Sequence, residues 1–190
     1  MILKNYKVLQ GVMKLVMSNK LVEMFSEEEI NAKIRELGKK ISEDYAGQEV
    51  TLVCILKGAS MFTCELAKRI TIPVRFEFMQ ISSYGNETES SGVVKIMQDL
   101  DEPIRGKNVL VCEDIIDSGR SMHYLMDILK GRGPADLKLC SLLDKPDRRV
   151  VDVNIDYKGF TIPDKFIVGF GLDYAQEYRN LPYIAEVIPE

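Results

Sequence analysis

The chain has 190 residues, a formal net charge of -4 and a pI near 5.3. That length suits one domain with a real core, and the acidic balance removes any case for generic nucleic-acid binding. No apolar run approaches a membrane span, so neither nucleic acid nor membrane is an expected partner.

Residues 1–20 carry Lys4, Lys7, Lys14 and Lys20 and no acid. Ile2, Val8, Leu9, Val12, Leu15 and Val16 give a weak amphipathic pattern, too interrupted for a signal peptide. This stretch is expected to be a poorly packed extension, with Met17 an alternative start, ahead of a single domain at 21–190. Ser26-Glu27-Glu28-Glu29 is a capping box, and Ile30, Ile34, Leu37 and Ile41 then form a helical stripe. Val50 to Leu56 reads as a buried strand. It ends at Lys57-Gly58-Ala59-Ser60, a turn into a helix over Met61 to Ile70 that can hold an anion. Cys54, Cys64, Cys112 and Cys140 sit in or beside apolar runs, as expected of reduced, buried thiols in a cytoplasmic protein.

Val74 to Ser82 alternates like a half-buried strand, and Val93 to Met97 reads as its partner. Between them Ser83-Tyr84 opens a ten-residue polar loop with glycines near both ends, Gly85 and Gly92. Such a loop is either a solvated hairpin or a lid.

The densest stretch follows. Val109 to Cys112 has the length and β-branching of a buried strand, and Met122 to Leu129 has the stripe of a helix. Between them lie Glu113-Asp114, the pair Ile115-Ile116, and then Asp117-Ser118-Gly119-Arg120-Ser121. The turn over 117–121 can aim free N–H groups and a helix dipole at a phosphate. Helix capping alone explains Asp117 and Ser118 but not Glu113-Asp114. Ligands bind at this edge of open α/β sheets, and two carboxylates there suit ribose hydroxyls or a hydrated cation. Together these features point to a phosphorylated sugar. Leu137 to Leu143 is a further strand, followed by Lys145. Ile162 to Tyr174 contains Phe166, Ile167, Phe170 and Asp173, and Arg179 follows. Phe166 and Phe170 suit a core, but both cannot be core while Ile167 and Val168 alternate with them. His123 is the only histidine, and nothing resembles a metal-ligand set or a nucleophile–base pair.

Strands at about 50–56, 74–83, 93–99, 108–113, 137–143 and 166–170, partly alternating with helices, predict an α/β fold: a mainly parallel twisted sheet flanked by helices.

The 109–121 stretch closely resembles the phosphoribosyl-diphosphate (PRPP) signature of the type I phosphoribosyltransferases. From about residue 21 to 188 the motifs fall in the order of the hypoxanthine-guanine branch, bacterial type. The resemblance implies a small hood from the two chain ends. It implies transfer of 5-phosphoribosyl from PRPP to N9 of hypoxanthine or guanine, giving IMP or GMP and diphosphate, in purine salvage. It implies that Asp117 accepts the purine proton and that Glu113 and Asp114 hold ribose and metal. Residues Asp117, Ser118, Gly119, Arg120 and Ser121 would anchor the 5′-phosphate, and Lys57, Gly58 and Arg179 the diphosphate. Lys145 would contact the 6-oxo group, Phe166 would stack on the base, Ile167 would read its edge, and Asp173 would approach base or metal. Ser83-Tyr84 would belong to a lid. Mg²⁺ is the implied metal, held by Glu113, Asp114 and Asp173, and the implied assembly is a homodimer or homotetramer. Other readings are a phosphoribosyltransferase for another base, an RNA-binding regulator on the same fold, and a bare nucleotide-binding module. Lys145 argues against adenine, and the acidic balance and intact Asp117 against the regulator.

Overall fold

The structure is a computed structural model and describes residues 20–83 and 94–188. The expected N-terminal extension and the loop from Tyr84 therefore lie outside the described residues, except for Lys20.

Six strands make the main sheet: β2 (Val50–Leu56), β3 (Val74–Ser83), β4 (Val94–Gln98), β5 (Asn108–Ile116), β6 (Asp136–Asp144) and β7 (Tyr157–Thr161). Their order is β4-β3-β2-β5-β6-β7, and every pair is parallel except β3 with β4. Three helices pack on it: α1 (Glu27–Asp44), α2 (Ser60–Ala67) and α3 (Arg120–Gly131). On one face Ile30, Ile34, Leu37 and Ile41 of α1 and Phe62 and Leu66 of α2 meet Leu52, Leu110 and Leu142. On the other, Met122, Leu125 and Leu129 of α3 meet Val53, Val109, Val111 and Leu139. Each such side chain contributes about 1.5–3 kcal/mol when fully buried. The capping box forms as expected: Ser26 N–H donates to the Glu29 carboxylate at 2.8 Å, and Glu29 N–H donates to Ser26 Oγ at 3.3 Å.

A second, antiparallel sheet joins β1 (Lys20–Phe25), β9 (Ile184–Ile188) and β8 (Ile167–Val168) in the order β1-β9-β8. This is the hood, built from both ends of the described chain.

Four expectations need correction. The run 166–170 does not join the main sheet: only Ile167–Val168 is extended, and it belongs to the hood, because Gly169, Phe170 and Gly171 all take positive φ (99°, 49° and 102°) and turn the chain away. The sixth main strand is instead β7, whose Lys158 and Gly159 hide a strand pattern; a Cβ on Gly159 would sit 2.2 Å from the Leu142 carbonyl oxygen. Next, β5 runs on to Ile116, past the expected end at 113, so Asp114 as well as Glu113 lies within the strand. Finally, Cys54, Cys112 and Cys140 are buried but Cys64 is exposed, since α2 turns only Phe62, Thr63 and Leu66 inward.

Candidate active site

The site gathers at the carboxyl ends of β2, β5 and β6. As strand neighbours, Glu113 and Asp114 point to opposite sides. Glu113 lines a recess of about 160 Å³ together with Asp117, Ser118, Gly119 and Ser121. Burial, reinforced by the neighbouring Asp114 charge, holds its carboxyl well above the usual range. Its Oε2 is buried without a hydrogen-bond partner. Such an orphaned acceptor is costly unless something polar occupies the recess.

Asp114 faces the other turn. A Cβ on Gly58 would lie 1.7 Å from Asp114 Oδ2, so only glycine lets this carboxylate settle there. Burial pushes its carboxyl up to about 6; the backbone N–H of Ile115 and Arg179 pull the other way, and Asp173 adds to the rise. The peptide bond between Leu56 and Lys57 is cis. Lys57 is exposed and its Nζ donates to Gln176 Oε1 at 3.5 Å. Gly171 closes over this turn, with room for no Cβ, since one would lie 2.0 Å from the Gly58 carbonyl oxygen.

Between β5 and α3, Gly119 has φ 81° and its missing Cβ would meet the Val151 carbonyl oxygen at 2.3 Å. The Ser118 carbonyl accepts from the N–H groups of Val150 and Val151 at 2.9 and 3.1 Å. The first residues of α3, Arg120 and Ser121, then follow. Asp117 has a half-exposed side chain.

Two residues absent from the sequence-based site hold this turn. The Arg149 side chain donates to the backbone oxygens of Asp117 (3.2 Å) and Ile116 (3.4 Å) and to the Asp144 carboxylate. Asp144 is buried and also pairs with Lys158 at 2.6 Å. The signal was present: an acid at the end of an apolar strand, then Arg148-Arg149 after a proline turn. A surface pair of arginines carries no location by itself, so the signal was too weak to use.

Lys145 is 7% exposed, unlike an ordinary solvated lysine. Its Nζ donates to the Lys165 carbonyl at 2.9 Å and lies 3.6 Å from Asp164 Oδ1. Phe166 is 52% exposed, and its ring meets Tyr174 edge-on at 5.3 Å. Phe170 is buried, so the two phenylalanines do divide between surface and core. Ile167 is buried in the hood, paired with Glu186. Asp173 receives Arg179 at 2.6 Å and the Gln176 N–H at 2.8 Å. Arg179 also donates to the Gly171 carbonyl at 2.7 Å. Ser83 is the last described residue of β3, and Tyr84 lies outside the described residues.

Among the described residues no group of three His, Cys, Asp or Glu side chains forms a metal cage. Asp114 and Asp173 approach each other, but both Asp173 oxygens are engaged, and Glu113 lies on the other wall. This donor set fits Mg²⁺, which keeps waters and takes one or two carboxylates plus substrate phosphates.

Comparison with known proteins identifies the family. Residues 23–175 match the phosphoribosyl transferase domain. The chain is 50% identical to the hypoxanthine-guanine phosphoribosyltransferase of Streptococcus thermophilus, over 85% of this chain and 89% of that protein. It is also 50% identical to the hypoxanthine phosphoribosyltransferase of Salmonella typhimurium, over 87% and 94%. A bifunctional TilS/HprT protein of Listeria monocytogenes matches at 50% over 88% of this chain, which spans only 26% of that longer relative. Among solved structures, a Staphylococcus aureus hypoxanthine phosphoribosyltransferase superposes with TM-score 0.87 at 42% identity, covering 94% of this chain and 95% of that one. By sequence and fold, the chain belongs to the phosphoribosyltransferase family, in its hypoxanthine phosphoribosyltransferase branch.

Proposed function

We propose that this chain transfers the 5-phosphoribosyl group of PRPP to N9 of hypoxanthine or guanine, releasing diphosphate and giving IMP or GMP for purine salvage. The observation that carries the choice of base is Lys145. An ammonium has three donors and no acceptor. One donor is spent on the Lys165 carbonyl and one is directed at Asp164. The third is left for an acceptor, which a 6-oxopurine supplies and adenine's amino group does not.

The remaining roles follow from position. The N–H groups at the start of α3 and the hydroxyls of Ser118 and Ser121 anchor the 5′-phosphate, with the dipole of α3 adding attraction. Gly119 shapes the turn and Arg120 lends its N–H. Glu113, which lines the recess and carries an unpartnered oxygen, and Asp114 receive the ribose hydroxyls. Lys57, the Gly58 backbone and Arg179 meet the diphosphate. Phe166 stacks on the base, and the backbone at Ile167 reads its edge. Asp173 approaches the base's exocyclic group or the metal, and Ser83 with Tyr84 forms part of a lid.

In the reaction the C1′–oxygen bond to diphosphate breaks as the N9–C1′ bond forms, and the base's N7 proton passes to the Asp117 carboxylate. Mg²⁺ would be held by Asp114, with retained waters and substrate phosphates completing its shell, and would neutralise charge on the departing diphosphate. Glu113, on the other wall, stays with the ribose, so the three-carboxylate set that the resemblance implies is not adopted. Stabilising that charge is expected to be the largest single contribution.

The same reading makes the protein a cytoplasmic homodimer or homotetramer. The four free cysteines suit a reducing compartment, and the exposed, stacked Phe76 and Phe78 of β3 offer an apolar face. Among the described residues no helix is long and apolar enough to cross a membrane.

Initial rates with hypoxanthine, guanine, xanthine and adenine test the assignment. Adenine leaves a buried donor unpaired, at a cost of about 1–3 kcal/mol, so hypoxanthine and guanine should dominate. Equal turnover of adenine and hypoxanthine would overturn it. Activity should vanish with chelator and return with Mg²⁺.

A further inference from the structure

Asp117 and Lys145, on the reading above, meet neighbouring atoms of the base. N7 and the 6-oxo oxygen lie side by side on one edge of a 6-oxopurine. The two side chains come from different places, the turn after β5 and the end of β6. Their separation must match that edge.

Arg148 stands between them. Its Nε lies 3.4 Å from Asp117 Oδ1, and its Nη1 lies 3.7 Å from Asp164 Oδ1. The same Asp164 oxygen is 3.6 Å from Lys145 Nζ. Four side chains thus alternate in charge: Asp117, Arg148, Asp164, Lys145. Asp117 Oδ1 is buried and has no true hydrogen bond, although the Asp117 side chain as a whole is 45% exposed. One oxygen is therefore sealed at the guanidinium while the rest of the group stays open.

We infer that Arg148 is a positioning residue for the base: it covers one oxygen of Asp117 and, through Asp164, sets the Lys145 ammonium. Touching no substrate, it fixes the spacing of the two groups that read N7 and the 6-oxo oxygen. A planar guanidinium can face two carboxylates at once, and a lysine ammonium on a flexible stem cannot hold both in a fixed geometry. Arg148 is 53% exposed on its side chain, so its pairs add little to folding stability. Any substantial effect of removing it must appear in function.

The inference rests on the proposed roles of Asp117 and Lys145. The test compares Arg148→Gln, Arg148→Lys and Asp117→Asn by steady-state kinetics in both substrates and by thermal unfolding. Arg148→Gln should raise KM for hypoxanthine and lower kcat, each by roughly three- to tenfold. KM for PRPP and the melting temperature should stay at wild-type values. Arg148→Lys, keeping the charge but not the fork, should fall between the two. Wild-type kcat and hypoxanthine KM in Arg148→Gln would overturn the inference. So would equal losses for both substrates with a lowered melting temperature, the mark of a structural role. If Asp117→Asn keeps the full rate, the reading of the site fails; if Asp117→Asn is impaired and Arg148→Gln is not, only the role of Arg148 fails.

Discussion

The turn over residues 116–121 is clamped from beneath by a largely buried arginine, whereas residues 163–180 are held by backbone bonds, to the hood strand β9 and within themselves, with Lys145 on the Lys165 carbonyl. In the first region Arg149 ties two backbone oxygens to Asp144 inside the protein. In the second, Phe170, Ala175, Gln176 and Tyr178 take positive φ, and Arg179 bonds back to the Gly171 carbonyl. On the proposed roles, stability and binding share residues in the first region. In the second the ring of Phe166 is exposed, so its proposed contact with the base is separable from folding. On that reading the phosphate-facing half of the site is costly to alter, and the base-facing half is open to change.

The largest effect should come from Asp117→Asn. A helix cap would survive that change nearly intact. A positioned proton acceptor would not, and kcat should drop roughly 10²–10⁴-fold with folding and PRPP binding preserved. Wild-type kcat with hypoxanthine would reduce Asp117 to a cap.

Arg149→Met probes the clamp. It leaves the buried Asp144 with only Lys158, and breaking a buried pair costs about 3 kcal/mol. Unfolding in urea should show that loss together with a raised KM for PRPP. An unchanged midpoint would mean the clamp does not couple the two properties.

Phe166→Ala probes the opposite region. Base–aromatic stacking is worth about 1–3 kcal/mol, so KM for hypoxanthine should rise roughly tenfold, while stability stays within about 0.5 kcal/mol because the ring is exposed. A large fall in melting temperature would erase the contrast between the regions.

The smallest effect lies away from both. Tyr45 donates to Asp136 at 2.6 Å and Tyr157 to Asp44 at 2.8 Å, at the opposite edge of the sheet. Burial first, and these bonds second, raise both phenols above their ordinary 10.0. A raised folded value favours the neutral form in the native state. The contribution is complete below pH 10 and is lost as pH climbs through the folded values. Tyr157→Phe should cost about 1 kcal/mol at pH 7, and less as the pH rises above 10. Urea midpoints across pH 7 to 11 measure this, and a cost that grew with pH would contradict it.

Period and chain order made most of the architecture legible. The α1 stripe, the β2 and β6 runs and the 117–121 turn are local patterns, and local patterns print directly in sequence. The hood strands carry little pattern of their own, because β1, β8 and β9 are short, and β1 gains its partner from the far end of the chain. The same limit governed the site. Asp117 follows a strand in a dense motif and could be placed, whereas Lys145 by itself reads as a solvated surface lysine and is placed only by the family resemblance. Arg149 acts through residues more than thirty positions away, and Glu113 and Asp114, adjacent in sequence, face different walls once the strand is seen to continue.

The hood's central strand, β9, is the last described element, and its Val187 N–H donates to the Phe166 carbonyl at 2.9 Å. During synthesis the main sheet has all its strands once Thr161 has left the ribosome, but β1 and β8 must wait for residues 184–188. At usual elongation rates that interval is on the order of seconds. A nascent chain paused there would present a finished main sheet and 117–121 turn with no hood, its β1 edge still unpaired and open to another chain.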